Sequence, residues 1–92
     1  MKKTSEINGT HRQGYLEATL EEITKVFGEP EVLGYDKVYY QWAFVEDGTV
    51  FTIYDYKRGL EPIDQNEEFD WSVGGHSKKA FELVMSKLNA VR

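Results

Sequence analysis

The sequence predicts a single α+β domain in which two helices pack on one face of an antiparallel three-stranded meander, in the order α-β-β-β-α. Three patterns support this prediction: a capped amphipathic run at 20–27, two β-rich runs joined by Asp-Gly within 37–57, and a second amphipathic run at about 78–90. A chain of 92 residues has room for one hydrophobic core. We therefore expect one domain at 15–92.

The N-terminal residues 1–14 are polar and are interrupted by Gly9 and Gly14. Because glycine breaks regular structure and no apolar periodicity is present, we expect a flexible or partly ordered arm. A short strand near Glu6–Asn8 is the one element that this stretch could contribute, and it would make the meander four-stranded.

The first helix begins with a capping-box pattern. Thr19 is followed three residues later by Glu22, so that each side chain can accept a hydrogen bond from the other residue's backbone N–H. The apolar residues that follow recur at helical spacing, and they are Leu20, Ile23, Val26 and Phe27. Gly28 and Pro30 then predict the end of the helix, which we place at about 20–27, with a start nearer Tyr15 as the alternative.

The two β-rich runs predict a hairpin closed by Asp47-Gly48, because both positions tolerate positive φ. This turn pairs Phe44 with Phe51, Gln41 with Tyr54 and Tyr39 with Tyr56. One face is then apolar and should meet the helices; it holds Val38, Tyr40, Trp42, Phe44, Phe51 and Ile53. The opposite face should stay open; it holds Tyr39, Gln41, Ala43, Val45, Val50, Thr52, Tyr54 and Tyr56.

A third strand is predicted at about 69–73 after a loop at 58–68, and Ser77 is the expected N-cap of the last helix. Two lysines stand in the first turn of that helix, where the helix dipole disfavours cations. One interpretation is a site for an anion such as phosphate, formed by Gly74, Gly75, His76, Ser77, Lys78 and Lys79. The other is a strand-to-helix turn with solvated lysines.

Two further groups of residues suggest a surface for a partner. Tyr39, Gln41, Tyr54 and Tyr56 would form a face for a partner or for base stacking, since tyrosines anchor interfaces and stack on bases. Asp64, Glu67, Glu68 and Asp70 would add an acidic partner surface, extended by Asp47, Asp55 and Glu61. The alternatives are cross-strand packing of the tyrosines and a solvated acidic loop.

Charge and composition exclude several classes of function. The net charge is −5 and there is no cysteine, so neither direct nucleic-acid binding nor a thiolate metal site is expected. The spacing of the acidic residues and the glycines matches no metal or cofactor motif, and His11 and His76 lack the surroundings of a catalytic triad. We therefore predict no catalytic residues, metal or cofactor. No apolar run approaches about 18 residues, so we expect a cytoplasmic protein without membrane contact.

The segment INGTHRQGYLEATLEEITKVFGEP, followed by DKVYYQWAF, DGTVFTIYDYK and DWSVGG, resembles small uncharacterised accessory proteins of tailed bacteriophages, from about Ile7 to Lys87. The resemblance implies a viral protein in the host bacterial cytosol and assigns no role to any residue. We expect a non-enzymatic binding protein that inhibits or redirects a host factor, such as a defence protein, in the host–virus interaction. The alternatives are a sponge for a small phosphorylated or nucleotide signal and a structural or regulatory homodimer.

Overall fold

The computed structural model describes residues 1–35, 37–56 and 62–92, with backbone placement alone at Tyr35. Its elements follow one another along the chain as β1 (Lys2–Lys3), β2 (His11–Thr19), α1 (Leu20–Phe27), β3 (Glu31–Tyr35), β4 (Val38–Glu46), β5 (Thr49–Tyr54), β6 (Glu68–Gly75) and α2 (Lys78–Asn89).

The strands form one six-stranded antiparallel sheet in the order β1-β4-β5-β6-β2, and β3 pairs with β4 as well. Since β5 occupies the other side of β4, β1 and β3 share one edge of the sheet, and β2 forms the opposite edge. The predicted α+β class with an antiparallel sheet and two helices is confirmed. The three-stranded count is wrong, because β1, β2 and β3 join the predicted strands.

Strand β2 crosses the boundary expected between arm and domain. It runs from His11 to Thr19 and pairs with β6 over its length, whereas residues 4–10 are irregular and Glu6–Asn8 is not a strand. Leu16 and Ala18 face the core and alternate with Tyr15 and Glu17, which is strand periodicity. This alternation covers only a few residues directly before the capping box of α1, and the sequence pattern therefore did not predict a strand there.

Both helices begin as predicted. In α1 the Glu22 backbone N–H donates to Thr19 Oγ1 at 3.1 Å, and the Thr19 N–H donates to Glu22 Oε1 at 3.0 Å. Gly28 adopts a φ of 83° and closes the helix. In α2 the Ser77 hydroxyl accepts from the Lys79 N–H at 3.3 Å, and the helix ends one residue before the predicted limit.

The hairpin register is confirmed from Glu46–Thr49 to Gln41–Tyr54. Beyond that pair the ladder changes, because the Asp55 carboxylate accepts from the Tyr39 and Tyr40 backbone N–H groups, both at 2.9 Å. A side chain therefore takes the place of the next strand residue, and Tyr39 does not pair with Tyr56. The end of the second β-rich run and the start of the loop, 57–61, lie outside the described residues.

The core lies between the helices and one face of the sheet. The rings of Trp42 and Trp71 pack edge to face at 5.4 Å, and Phe27 of α1 contacts Phe44 and Phe51. Each indole N–H has a backbone acceptor: Trp42 Nε1 donates to the Gly28 carbonyl at 2.8 Å, and Trp71 Nε1 donates to the Ala18 carbonyl at 3.0 Å. The buried residues of α2, which are Ala80, Val84 and Leu88, belong to the same core, so both helices lie on one face of the sheet and the other face has no helix.

Candidate binding face

The uncovered side of the sheet, which we name the open face, is ordered in rows across the strands. Its central row contains Tyr15, Ser72, Tyr54 and Gln41, which are opposite one another on β2, β6, β5 and β4. The next row contains Arg12, Gly74, Thr52 and Ala43. Side chains of both rows point to the same side because strand residues two apart share a face.

A β-bulge sets the position of Arg12. The pairing with β6 shifts between Arg12 and Gly14, and the Gln13 amide donates to the Gly75 carbonyl at 3.0 Å. In a regular strand, residues three apart would lie on opposite faces, but the extra residue brings Arg12 and Tyr15 to the same face. The Arg12 guanidinium carbon consequently lies 4.6 Å from the centroid of the Tyr15 ring, within the range of a cation–π interaction.

The tyrosines of the open face are unequally exposed. Tyr15 exposes 57% of its surface and Tyr56 exposes 43%, whereas Tyr54 is half-buried and packs edge-on against Tyr56 at 6.4 Å. Tyr39 is half-buried too, with its ring 4.7 Å from that of Tyr40. The prominent aromatic group of this face is therefore Tyr15 with Tyr54 and Tyr56.

The phenol of Tyr54 lies next to the hydroxyl side chains of Ser72 and Thr52. Burial raises the pKa of Tyr54 above its ordinary value, and the nearby Arg12 charge and a hydrogen bond with Ser72 partly oppose that rise. Ser72 and Thr52 are each only 3% exposed although no helix covers them. The neighbouring large side chains must therefore cover these hydroxyl groups, which makes the face close-packed.

Gly74 has a packing role in this face. A Cβ atom at this position would lie 2.5 Å from Thr52 Oγ1 and 3.4 Å from Tyr54 Cε1. The Tyr54 ring therefore lies across the glycine backbone. Gly75 has the same role on the covered face, where an added Cβ would overlap Ala80 of α2. Both glycines belong to β6 and are buried.

Part of the predicted acidic surface lies on the same face of the sheet as the tyrosines. Glu68 and Asp70 precede Ser72 on β6 at two-residue intervals, so both lie on the open face, and Glu17 of β2 is opposite Asp70. Asp64 and Glu67 lie in the loop before β6 and are exposed; Asp64 accepts from the Asn66 N–H at 2.8 Å. Asp55 is 1% exposed and does not belong to this surface, which corrects its assignment, and Glu61 lies outside the described residues.

The predicted anion site surrounds a cavity of about 300 Å³ at the N-terminus of α2. His76, Ser77 and Lys79 line it together with the hairpin tip at Asp47, while Lys78 is exposed nearby. Two features oppose anion binding there. The Asp47 carboxylate carries the same sign as an anion, and the Ser77 hydroxyl already accepts a hydrogen bond from the Lys79 N–H, one of the groups at the helix start that could otherwise donate to an anion.

Sequence reasoning missed Arg12, Tyr15 and Glu17, because it left 1–14 as an arm and began the domain at Tyr15 without a strand. The signal that could have found two of them is the alternation Tyr-Leu-Glu-Ala before Thr19. The position of Arg12 could not follow from alternation, since it depends on the bulge.

No protein-family model matches the chain, and neither a curated protein nor a solved structure matches it. Across 1–35, 37–56 and 62–92, no three His, Asp or Glu side chains are grouped to hold a metal ion. In the same residues, neither helix combines the length and apolar character needed to cross a membrane.

Proposed function

We propose that this chain is a non-enzymatic binding protein whose open face docks on a partner protein. The observation that supports the proposal is the uncovered aromatic group, with Tyr15 57% exposed and Tyr56 43% exposed on the side of the sheet opposite both helices. Tyrosine rings at this degree of exposure supply large contact areas at little entropic cost, which is why they anchor interfaces.

The charge of the face indicates the partner's chemistry. Glu17, Glu68 and Asp70 form an acidic border beside the tyrosines, and the whole chain carries a net charge of −5. A partner with a basic groove, such as a nucleic-acid-binding host protein, would be steered to this border. With the resemblance to phage accessory proteins, the proposed role is inhibition or redirection of a host defence factor in the bacterial cytosol.

The experiment is photo-crosslinking in bacterial lysate from position 15, with a photoreactive residue replacing Tyr15. The matched control places the same residue at Val91, which is 66% exposed and lies near Lys25 of α1 and Leu88 of α2. We expect a specific host-protein adduct from position 15, and we expect Glu17→Lys/Asp70→Lys to abolish it. Equal labelling from positions 15 and 91, or no adduct, would contradict the proposal.

A second candidate, the sponge for a phosphorylated or nucleotide signal, is supported by the cavity of about 300 Å³ beside His76 and Lys79. Its test is a thermal-shift panel of nucleotides, cyclic dinucleotides and ADP-ribose derivatives. A sponge requires a rise in melting temperature with one of them, and Lys78→Ala/Lys79→Ala should remove that rise. The same variant should leave host-protein crosslinking from position 15 unchanged.

A further inference from the structure

Three charges near the centre of the open face, those of Arg12, Glu17 and Asp70, are placed symmetrically about Tyr15. Along β6, Gly74 is opposite Arg12, Ser72 is opposite Tyr15, and Asp70 is opposite Glu17. The cation therefore lies two β6 residues to one side of the Tyr15 row, and the two carboxylates lie two residues to the other side. At the usual rise of a strand, each interval is about 7 Å.

We infer that the open face packs against the open face of a second copy of this chain. The two-fold axis would run along the central row, perpendicular to the strands. Rotation about that axis places each Arg12 over the partner's Glu17 and the partner's Asp70, and it places Tyr15 over the partner's Tyr15. A two-fold interface requires a surface that is complementary to itself, and a cation and an acidic pair equidistant from an aromatic centre satisfy this requirement.

The open face also has enough apolar side chains and enough area to pack against a second copy. Around the tyrosines lie the half-buried apolar side chains Ala43, Val45 and Val50. Sheets that pack face to face lie about 10 Å apart, with interdigitating side chains. The two longer dimensions of the molecule are 32 and 30 Å. A face of this extent can supply the roughly 800 Å² per partner of a standard interface.

Three charges lie outside this symmetric set, and all three lie at the periphery: Glu68 is at the start of β6, Lys2 is on the edge strand β1 opposite Val45, and Glu31 is on the edge strand β3. Glu31 on β3 is opposite Gln41 and so ends the central row at the far edge of the sheet. The rotation would bring it toward its own copy. Because twisted sheets diverge toward their edges, these two carboxylates would remain in water, where repulsion is weak.

The dimer goes beyond the proposed function, since it makes a second copy the occupant of the open face when no host protein is present. Host binding would then require the two copies to separate. The two ideas fail separately: a monomeric chain overturns the dimer without affecting crosslinking to a host protein, and a dimer without any host adduct overturns the proposed function alone.

The test is sedimentation equilibrium of the full chain over a concentration series. We expect wild-type protein to form a dimer, and we expect Arg12→Glu to weaken it roughly 10- to 100-fold, because each exposed contact is reversed twice in a two-fold interface. Glu17→Lys/Asp70→Lys should weaken it similarly. Lys25→Glu, a reversal of an exposed cation on α1, is the matched control and should dimerise like wild type.

An equimolar mixture of the two weakened variants gives the sharpest result. In the mixed dimer both contacts again join opposite charges, so the mixture should dimerise at concentrations where each weakened variant alone is mostly monomeric. This rescue also shows that both variants are folded. A monomeric mass for wild type at every concentration, an Arg12→Glu variant that dimerises like wild type, or a mixture that stays monomeric would each overturn the inference.

Discussion

The two faces of the sheet differ in what holds their side chains in place. The covered face is apolar, and Trp71, Phe51 and Ile53 are fully buried beneath the helices. The open face is polar and aromatic, yet Thr52 and Ser72 are only 3% exposed because their own neighbours cover them. Close packing without a helix layer fixes these side chains within the isolated chain, which would reduce the entropic cost of the proposed binding.

Replacing Trp71 with alanine should give the largest difference between the faces. The side chain is 0% exposed, packs against Trp42 and Phe69, and donates to the Ala18 carbonyl. We expect Trp71→Ala to lower the free energy of unfolding by about 3–5 kcal/mol, through the cavity and the unpaired carbonyl. Chemical denaturation monitored by circular dichroism measures this change.

Tyr15→Ala is the comparison for Trp71→Ala, because Tyr15 is a large aromatic residue opposite the neighbouring β6 position, Ser72, but on the open face. With its ring 57% exposed, we expect a loss below about 1 kcal/mol at protein concentrations where the chain is monomeric. Equal losses for the two variants would mean that the open face contributes to the core, and the division between the faces would be wrong.

Gly75→Ala should have an intermediate effect. An added Cβ would overlap Ala80, so α2 must shift away from β6, and we expect a loss of about 1–3 kcal/mol. Ala80→Gly relieves the overlap at its own cost of about 1 kcal/mol in helix propensity. In a double-mutant cycle the two changes should therefore be less destabilising together than their sum. If the two losses in unfolding free energy were simply additive, the packing of α2 against β6 would not require a glycine at position 75.

The sequence was sufficient where local chemistry decides the structure. The capping box at Thr19, the Asp47-Gly48 turn and the N-cap at Ser77 each satisfy their hydrogen bonds within a few residues, and all three were predicted. Pairing between strands that are distant in the chain was harder to predict from the sequence. Strand β2 is stabilised by β6, more than fifty residues away, and its local pattern is short and interrupted by a bulge. A one-residue bulge changes which side chains share a face, so the neighbours of Arg12 could not be read from periodicity.

The missed strand also explains why the candidate face was incomplete. Tyr54, Tyr56, Glu68 and Asp70 were predicted as parts of two separate surfaces. The structure connects them through Tyr15 and Glu17 of β2, which lie beside Ser72 and Asp70. The candidate surface thus depends on a strand pairing that crosses most of the chain, and local patterns carry no information about which distant strand a segment will join.

The smallest expected effect is a change in pH dependence on the open face. Burial raises the pKa of Tyr54, so the folded chain holds this proton more tightly than the unfolded chain does. The resulting stabilisation is complete below the ordinary tyrosine pKa of 10.0 and is lost as pH rises through the higher folded value. In Tyr54→Phe this component is absent, so unfolding free energies measured on both sides of pH 10 should fall less steeply than in wild type. Val91→Ala, an exposed position without a titratable group, is the control and should keep the wild-type steepness. If Tyr54→Phe kept the wild-type steepness, the phenol would have to be as well solvated in the folded chain as in the unfolded one, and the open face would be looser than its buried hydroxyls indicate.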